Sequence, residues 1–94
     1  MALARVVTFD GVSSDRVAQM QREMQQGDQP EGMPATEFML LHDPGSEKAV
    51  AIVFFDNDDD YRQGDEALSA MPAGDTPGRR ASVTKYQVAF RMTE

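Results

Sequence analysis

The chain has 94 residues, 40% of them hydrophobic, no cysteine and a formal net charge of −7. That length supports one domain with a modest core, and the lack of cysteine excludes disulfides, thiolate catalysis and Cys-based zinc or iron–sulfur sites. The acidic balance argues against nucleic acid, whose phosphates call for a basic footprint, and no apolar stretch approaches the roughly 18 residues of a membrane span.

Residues 3–10, Leu-Ala-Arg-Val-Val-Thr-Phe-Asp, read as a first strand that ends at Asp10-Gly11. Val6, Val7, Thr8 and Phe9 suit a pleated surface. Arg5, Val7 and Phe9 share one face, Val6 and Thr8 the other, and both faces look largely dry. The stretch from Ala2 to Phe9 is too short for a signal peptide, so a soluble cytoplasmic protein, one domain over 1–94, is the expectation.

Ser13 or Ser14 then supplies a helix N-cap, with Asp15 favourable in the first turn. Val17, Met20 and Met24 follow at helical spacing, among Arg16, Gln19, Arg22, Glu23 and Gln26. The pattern predicts an amphipathic helix of about 13 residues closed by Gly27. Asp28 to Ala35, with Gly32, Pro30 and Pro34, predicts a loop.

Residues 36–42 and Lys48–Phe55 are expected to pair as a hairpin across His42-Asp43-Pro44-Gly45-Ser46. Pro44 suits a φ near −65°, and Gly45 is expected at a positive φ. Lys-Ala-Val-Ala-Ile-Val-Phe-Phe is short, apolar and rich in β-branched and aromatic residues, so it predicts a strand buried on both faces. After it, Asp56-Asn57-Asp58-Asp59-Asp60 leads into Tyr61, Leu68 and Met71 at helical spacing, a second helix from about Asp58 to Met71 stopped by Pro72. Ala73 to Arg80 is a second irregular connection, and Ser82 to Met92 alternates as a last strand.

The order β-α-β-β-α-β is the ferredoxin-like plan: an antiparallel four-stranded sheet, first and third strands central, both helices on one face. Two helices cover one face only, yet the central strands are apolar on both. An exposed Phe or Ile forgoes roughly 1.5–3 kcal/mol. The same face of a second copy, in a two-fold homodimer, is the expected cover.

Strand lengths, the two-sided sheet and the tail Ser-Val-Thr-Lys-Tyr-Gln-Val-Ala-Phe-Arg-Met resemble the dimeric α+β barrel superfamily, nearest its antibiotic-biosynthesis-monooxygenase-like members. The resemblance spans nearly the whole chain. It implies two sheets packed face to face, with a pocket in each subunit between the sheet and one helix. It also implies a cofactor-independent monooxygenase-like activity on a small aromatic or polyketide-like molecule. The alternative is a non-catalytic dimerisation or small-ligand-binding module. Haem-degrading relatives use an Asn on the first strand, a Trp in the sheet and a His on the second helix. None of these stands here, so no haem is expected, nor any other cofactor.

His42, the sole histidine, is the one side chain whose ordinary pKa lies near neutrality, which suits a general base for a phenolic substrate. A His beside Asp43-Pro44-Gly45 can equally just bond the turn. Tyr61 and Tyr86 ordinarily titrate near 10 and would need large shifts. Elimination therefore leaves His42 as the catalytic candidate, with Arg5 or Arg91 stabilising the resulting anion.

Lys85, Gln87 and Arg91 share a face of the last strand. If Tyr86, Val88 and Phe90 pack under the helices, those three point into the space between subunits and could hold an anionic ligand group. They could equally pair with acids of a second subunit. Arg79-Arg80 reads as an interface or loop-anchoring pair. The acidic run begins like a calcium loop but has Tyr61 and Ala67 where Gly and Glu belong, so helix capping is expected and metal is not. Gly74-Asp75-Thr76-Pro77-Gly78 lacks the Lys of a phosphate-binding loop and reads as a turn. Thioethers at Met20, Met24 and Met71 serve as core filler or as adaptable pocket walls.

Overall fold

The structure is a computed structural model and describes residues 2–25, 34–70 and 76–92. Its elements run β1 (Leu3–Asp10), α1 (Ser14–Gln25), β2 (Glu37–Asp43), β3 (Lys48–Phe55), α2 (Asp58–Ser69) and β4 (Arg79–Gln87). The strands form one antiparallel sheet in the order β2-β3-β1-β4, the ferredoxin-like α+β arrangement. Gly27, Met71 and Pro72, assigned above to helix ends, lie outside the described residues.

The two helices share one face of the sheet. Leu3, Arg5, Val7 and Phe9 of β1 are buried there, with Ala49, Ala51, Val53 and Phe55 of β3. Two apolar clusters result. Val7, Phe9, Val12, Ala49 and Ala51 receive Val17 of α1 and Leu40 of β2. Leu3, Val53, Phe55 and Tyr61 receive Leu68 of α2. Tyr61 meets Phe55 edge to face, with ring centroids 5.5 Å apart, a favoured aromatic geometry.

Each helix starts on a cap. The Ser13 hydroxyl accepts the Arg16 amide at 3.1 Å. The Asn57 side chain accepts the Asp60 amide at 2.8 Å, which satisfies one of the orphan donors of the first turn. Asp58, Asp59 and Asp60 then sit at the positive end of the helix dipole. The acidic run is thus used in capping and pairing: Asp58 holds Lys85 at 2.7 Å and Asp59 holds Arg62 at 3.2 Å.

Two backbone details differ from the sequence reading. Within the hairpin turn the positive φ belongs to Glu47 (55°), not to Gly45. The Asp43 carboxylate instead accepts the Gly45 amide at 3.2 Å, an Asx-type turn that leaves Gly45 at negative φ. The Glu47 carbonyl accepts the Val12 amide at 2.7 Å, tying the β1–α1 connection to the hairpin. The last strand also begins earlier and stops sooner than its alternation suggests. A register shift between Thr8 and Phe9 lets β4 start at Arg79, and 88–92 leave the strand.

That departure carries the tail back over the sheet. The Val88 amide still bonds the Ala2 carbonyl at 2.9 Å. Beyond it, Arg91 lies over the Phe54 ring, 4.7 Å from its centroid, and pairs with Glu37 of β2. Phe90 and Met92 are left more than four-fifths exposed.

The other sheet face carries Val6, Thr8, Val50, Ile52, Phe54, Met39, Leu41 and Tyr86, by alternation and cross-strand register. In the single chain Val6, Val50, Ile52 and Phe54 are half-buried and Met39, Leu41 and Tyr86 exposed. The expectation that β1 and β3 are dry on both sides therefore holds on the helix side only, within one chain.

Candidate functional site

The two helices are attached to the sheet in different ways. Under α2, Arg5 Nε donates to Asp65 Oδ1 at 2.8 Å, and its Nη2 reaches the Ser69 hydroxyl at 3.4 Å. Lys85 adds its bond to Asp58 and lies over the Tyr61 ring, 4.9 Å from the centroid. The Arg80 guanidinium donates to the Leu68 carbonyl at 3.3 Å, near the negative end of α2. This bond ties β4 to the C-terminal end of α2.

Helix α1 has a thinner hold. Val17 reaches the core, and Arg16 donates to the Thr76 carbonyl at 3.3 Å. Further along, Met20 is half-buried and Met24 is exposed. Between this end of α1 and β2 lies an open groove of about 450 Å³, lined by Val17, Met20, Gln21, Met24, Phe38 and Leu40. The volume falls in the range of small-molecule sites, and among the described residues the lining is apolar except for Gln21. Val17, Met20, Gln21 and Met24 stand at i, i+3, i+4 and i+7, one stripe of the helix.

Register decides which face of β2 turns toward the helices. Phe38, Leu40 and His42 lie opposite buried Val53, Ala51 and Ala49, so this face turns toward the helices. His42 is half-buried there, but it does not line the groove. Its Nε2 lies 3.0 Å from the Val12 carbonyl. A carbonyl only accepts, so Nε2 carries the hydrogen and Nδ1 is the basic nitrogen of the neutral ring. Val12 is thereby held twice, through its amide by Glu47 and through its carbonyl by His42.

The other candidates are dispersed. Arg5 is buried beneath α2 and committed to Asp65, not facing a ligand space. Lys85 and Gln87 do not point to the uncovered face. Lys85 reaches Asp58 and Tyr61 of α2, and Gln87 pairs in register with buried Leu3. The condition for that arrangement, Tyr86 packed under the helices, is not met: Tyr86 is 55% exposed on the opposite face. Arg91 alone of the set lies on that face, with Glu37 and Phe54. The structure therefore does not bring His42, Arg5, Lys85, Gln87 and Arg91 together. Among the described residues, no three His, Cys, Asp or Glu side chains converge as a metal site would need.

Electrostatic shifts follow the same pairs. The hydrogen bond and charge of Lys85 hold Asp58 below the ordinary carboxylate value, and hydrogen bonds from Ser46 and Gly45 do the same for Asp43. Burial, with Asp65 nearby, pushes the Tyr61 phenol up, which keeps it neutral.

Sequence reasoning missed Gln21, Phe38 and Leu40 as groove walls and Asp65 as the partner of Arg5. For Gln21 the signal was present, since it falls on the stripe of Val17, Met20 and Met24. For Phe38 and Leu40 it was not, because β2 is apolar on both faces.

The fold and groove define a small α+β protein of the ferredoxin-like class. No family model matches the chain, and no curated protein matches it. Among solved structures, it is similar to Rv0793 from Mycobacterium tuberculosis, with a TM-score of 0.58 and 10% identity over 99% of this chain and 100% of that one. Likeness at that identity supports the shared fold.

Proposed function

We propose that this protein is a homodimeric α+β barrel of the monooxygenase-like kind. It takes a small aromatic or polyketide-like molecule into the α1–β2 groove and oxidises it without a metal or flavin of its own. The observation that carries the reading is the groove itself: Val17, Met20, Met24, Phe38 and Leu40 offer apolar walls beside one amide, Gln21. Such a lining favours a flat, mostly apolar guest, and the two thioethers let the wall adapt to its outline. In this reading His42, two residues beyond Leu40 on the same β2 face, acts as proton acceptor through Nδ1 for a guest that extends past Leu40 out of the groove. The homodimer closes over Val6, Ile52, Met39 and Leu41, whose apolar surface a single chain leaves uncovered.

The second reading is a ligand-binding or dimerisation module without chemistry. One observation favours it: neither His42 nor an arginine lines the groove, and the His42 ring is already bonded to Val12. The test is oxygen uptake with a panel of electron-rich phenols that first raise the melting temperature. A ligand at 100 times its Kd adds about 2.7 kcal/mol of stability, well within reach of a thermal-shift assay. Uptake with a product that has gained one oxygen and lost two hydrogens, the phenol itself supplying the two electrons and two protons that take the second oxygen atom to water, supports the enzyme. Stabilisation with no uptake supports the module, and no stabilisation by any flat apolar compound rejects both.

A further inference from the structure

We propose that the α1–β2 groove selects neutral ligands that carry one hydrogen-bonding oxygen or nitrogen, and that Gln21 reads that group. This rests on the groove being a ligand site, as argued above. Among the described residues that line it, the groove has no charged side chain, and Gln21 is the one polar residue. Two charged groups of α1, Arg16 and Glu23, are engaged elsewhere. Arg16 donates to the Thr76 carbonyl, and Glu23 takes the Gln19 amide at 3.4 Å.

An ionised guest would therefore meet apolar surroundings with no counter-ion among the described lining residues. A carboxylate loses much of its hydration and gains at most the Gln21 N–H in return, with no cation among the described lining residues, and burial of an uncompensated charge is strongly unfavourable. The chain's charge of −7 adds a repulsive field. An ammonium finds no carboxylate among the lining side chains either. A neutral carbonyl, phenol or amide avoids that cost. The Gln21 side chain can donate to the first and both donate to and accept from the others. Its position at i+4 from Val17 and one residue beyond Met20 sets it beside the apolar stripe. A flat ring lying against Phe38 and Leu40 can thus present an edge substituent to the amide.

The experiment uses three guests of one size: naphthalene, 2-naphthol and 2-naphthoate. The chain has no tryptophan, so naphthyl fluorescence reads binding directly at neutral pH, where the naphthol is uncharged. The expected order is 2-naphthol about three- to tenfold tighter than naphthalene, the worth of one hydrogen bond. Naphthoate should be weaker than naphthalene by about tenfold or more. Gln21 is solvent-exposed, so Q21L should fold normally, as its melting curve will show. It should erase the naphthol preference and keep naphthalene binding. Naphthoate binding as tightly as naphthol would overturn the inference, as would an unchanged naphthol-to-naphthalene ratio in Q21L. If none of the three binds, the groove is not a ligand site and the broader reading falls with this one.

Discussion

Arg5 and Asp65 meet at 2.8 Å beneath α2, with the arginine side chain 3% exposed and the aspartate 42%. A cation drawn into the base of a helix–sheet packing is costly unless its hydrogen bonds are met. Asp65 and Ser69 meet them here. The pair explains why α2 is the fixed helix, and it takes Arg5 out of any ligand chemistry.

Asp65→Ala should therefore destabilise the fold by about 1–3 kcal/mol, because Arg5 stays buried without its partner. Arg5→Met together with Asp65→Leu should recover most of that, since the charge is gone. Urea unfolding gives both numbers. An unaffected Asp65→Ala midpoint would mean that Arg5 swings to solvent and that the pair does not anchor α2.

His42 has two separable roles, and two substitutions separate them. His42→Gln keeps a side-chain N–H for the Val12 carbonyl but has no basic nitrogen. His42→Ala keeps neither and should cost about 1 kcal/mol in stability. If His42 is the proton acceptor, both variants lose about 10²-fold or more in turnover while the fold survives. Full turnover in His42→Gln would confine the residue to holding Val12.

The Lys85–Asp58 bond gives a pH signature at the start of α2. Asp58 is held below its ordinary value of 3.8, chiefly by the hydrogen bond from Lys85. A depressed carboxylate contributes stability that is fully present above the unfolded value and is lost as the pH falls through the folded one. In Lys85→Met the Asp58 midpoint should thus rise toward 3.8, and the stability this pairing adds above 3.8 should be missing at neutral pH, with stability at the acid end unchanged. Carbon-detected NMR titration of the Asp58 carboxyl measures this, and an identical midpoint with and without Lys85 would dissolve the assignment.

The uncovered sheet face predicts assembly. Val6, Val50, Ile52, Met39 and Leu41 form an apolar surface that a two-fold partner would bury, in an interface above about 1,000 Å². Ile52→Lys should give monomers at micromolar concentration with secondary structure intact, because no helix covers this position. Sedimentation equilibrium decides it: a monomeric wild type would remove the dimer from the account.

Much of this architecture is legible in the sequence, and the failures have physical reasons. Strands with one-sided or continuous apolar patterns, β1 and β3, announce themselves with their ends, since Asp10-Gly11 and Asp56-Asn57 stop them chemically. The cap at Asn57 follows from the same chemistry. The last strand does not announce its end, because alternation continues through Phe90 and Met92 while the backbone leaves the sheet at Val88. What ends it is tertiary: Arg91 turns toward Glu37 and Phe54, a pair no local pattern encodes. The facing of Lys85 and Tyr86 fails for a related reason. A strand of period two leaves the choice of face to its neighbours, and here Asp58 and the Tyr61 ring draw Lys85 under α2. The groove was half legible: its helical wall is a periodic stripe, whereas its strand wall depends on which face of β2 turns inward.

The central claim is that the α1–β2 groove is a small-molecule site, and backbone amide NMR during titration with 2-naphthol tests it most directly. Shifts should concentrate on Val17, Met20, Gln21, Met24, Phe38 and Leu40, saturating together with a single Kd. Shifts centred on Val6, Ile52, Thr84 and Tyr86 of the opposite face, or none at saturating probe, would contradict the account.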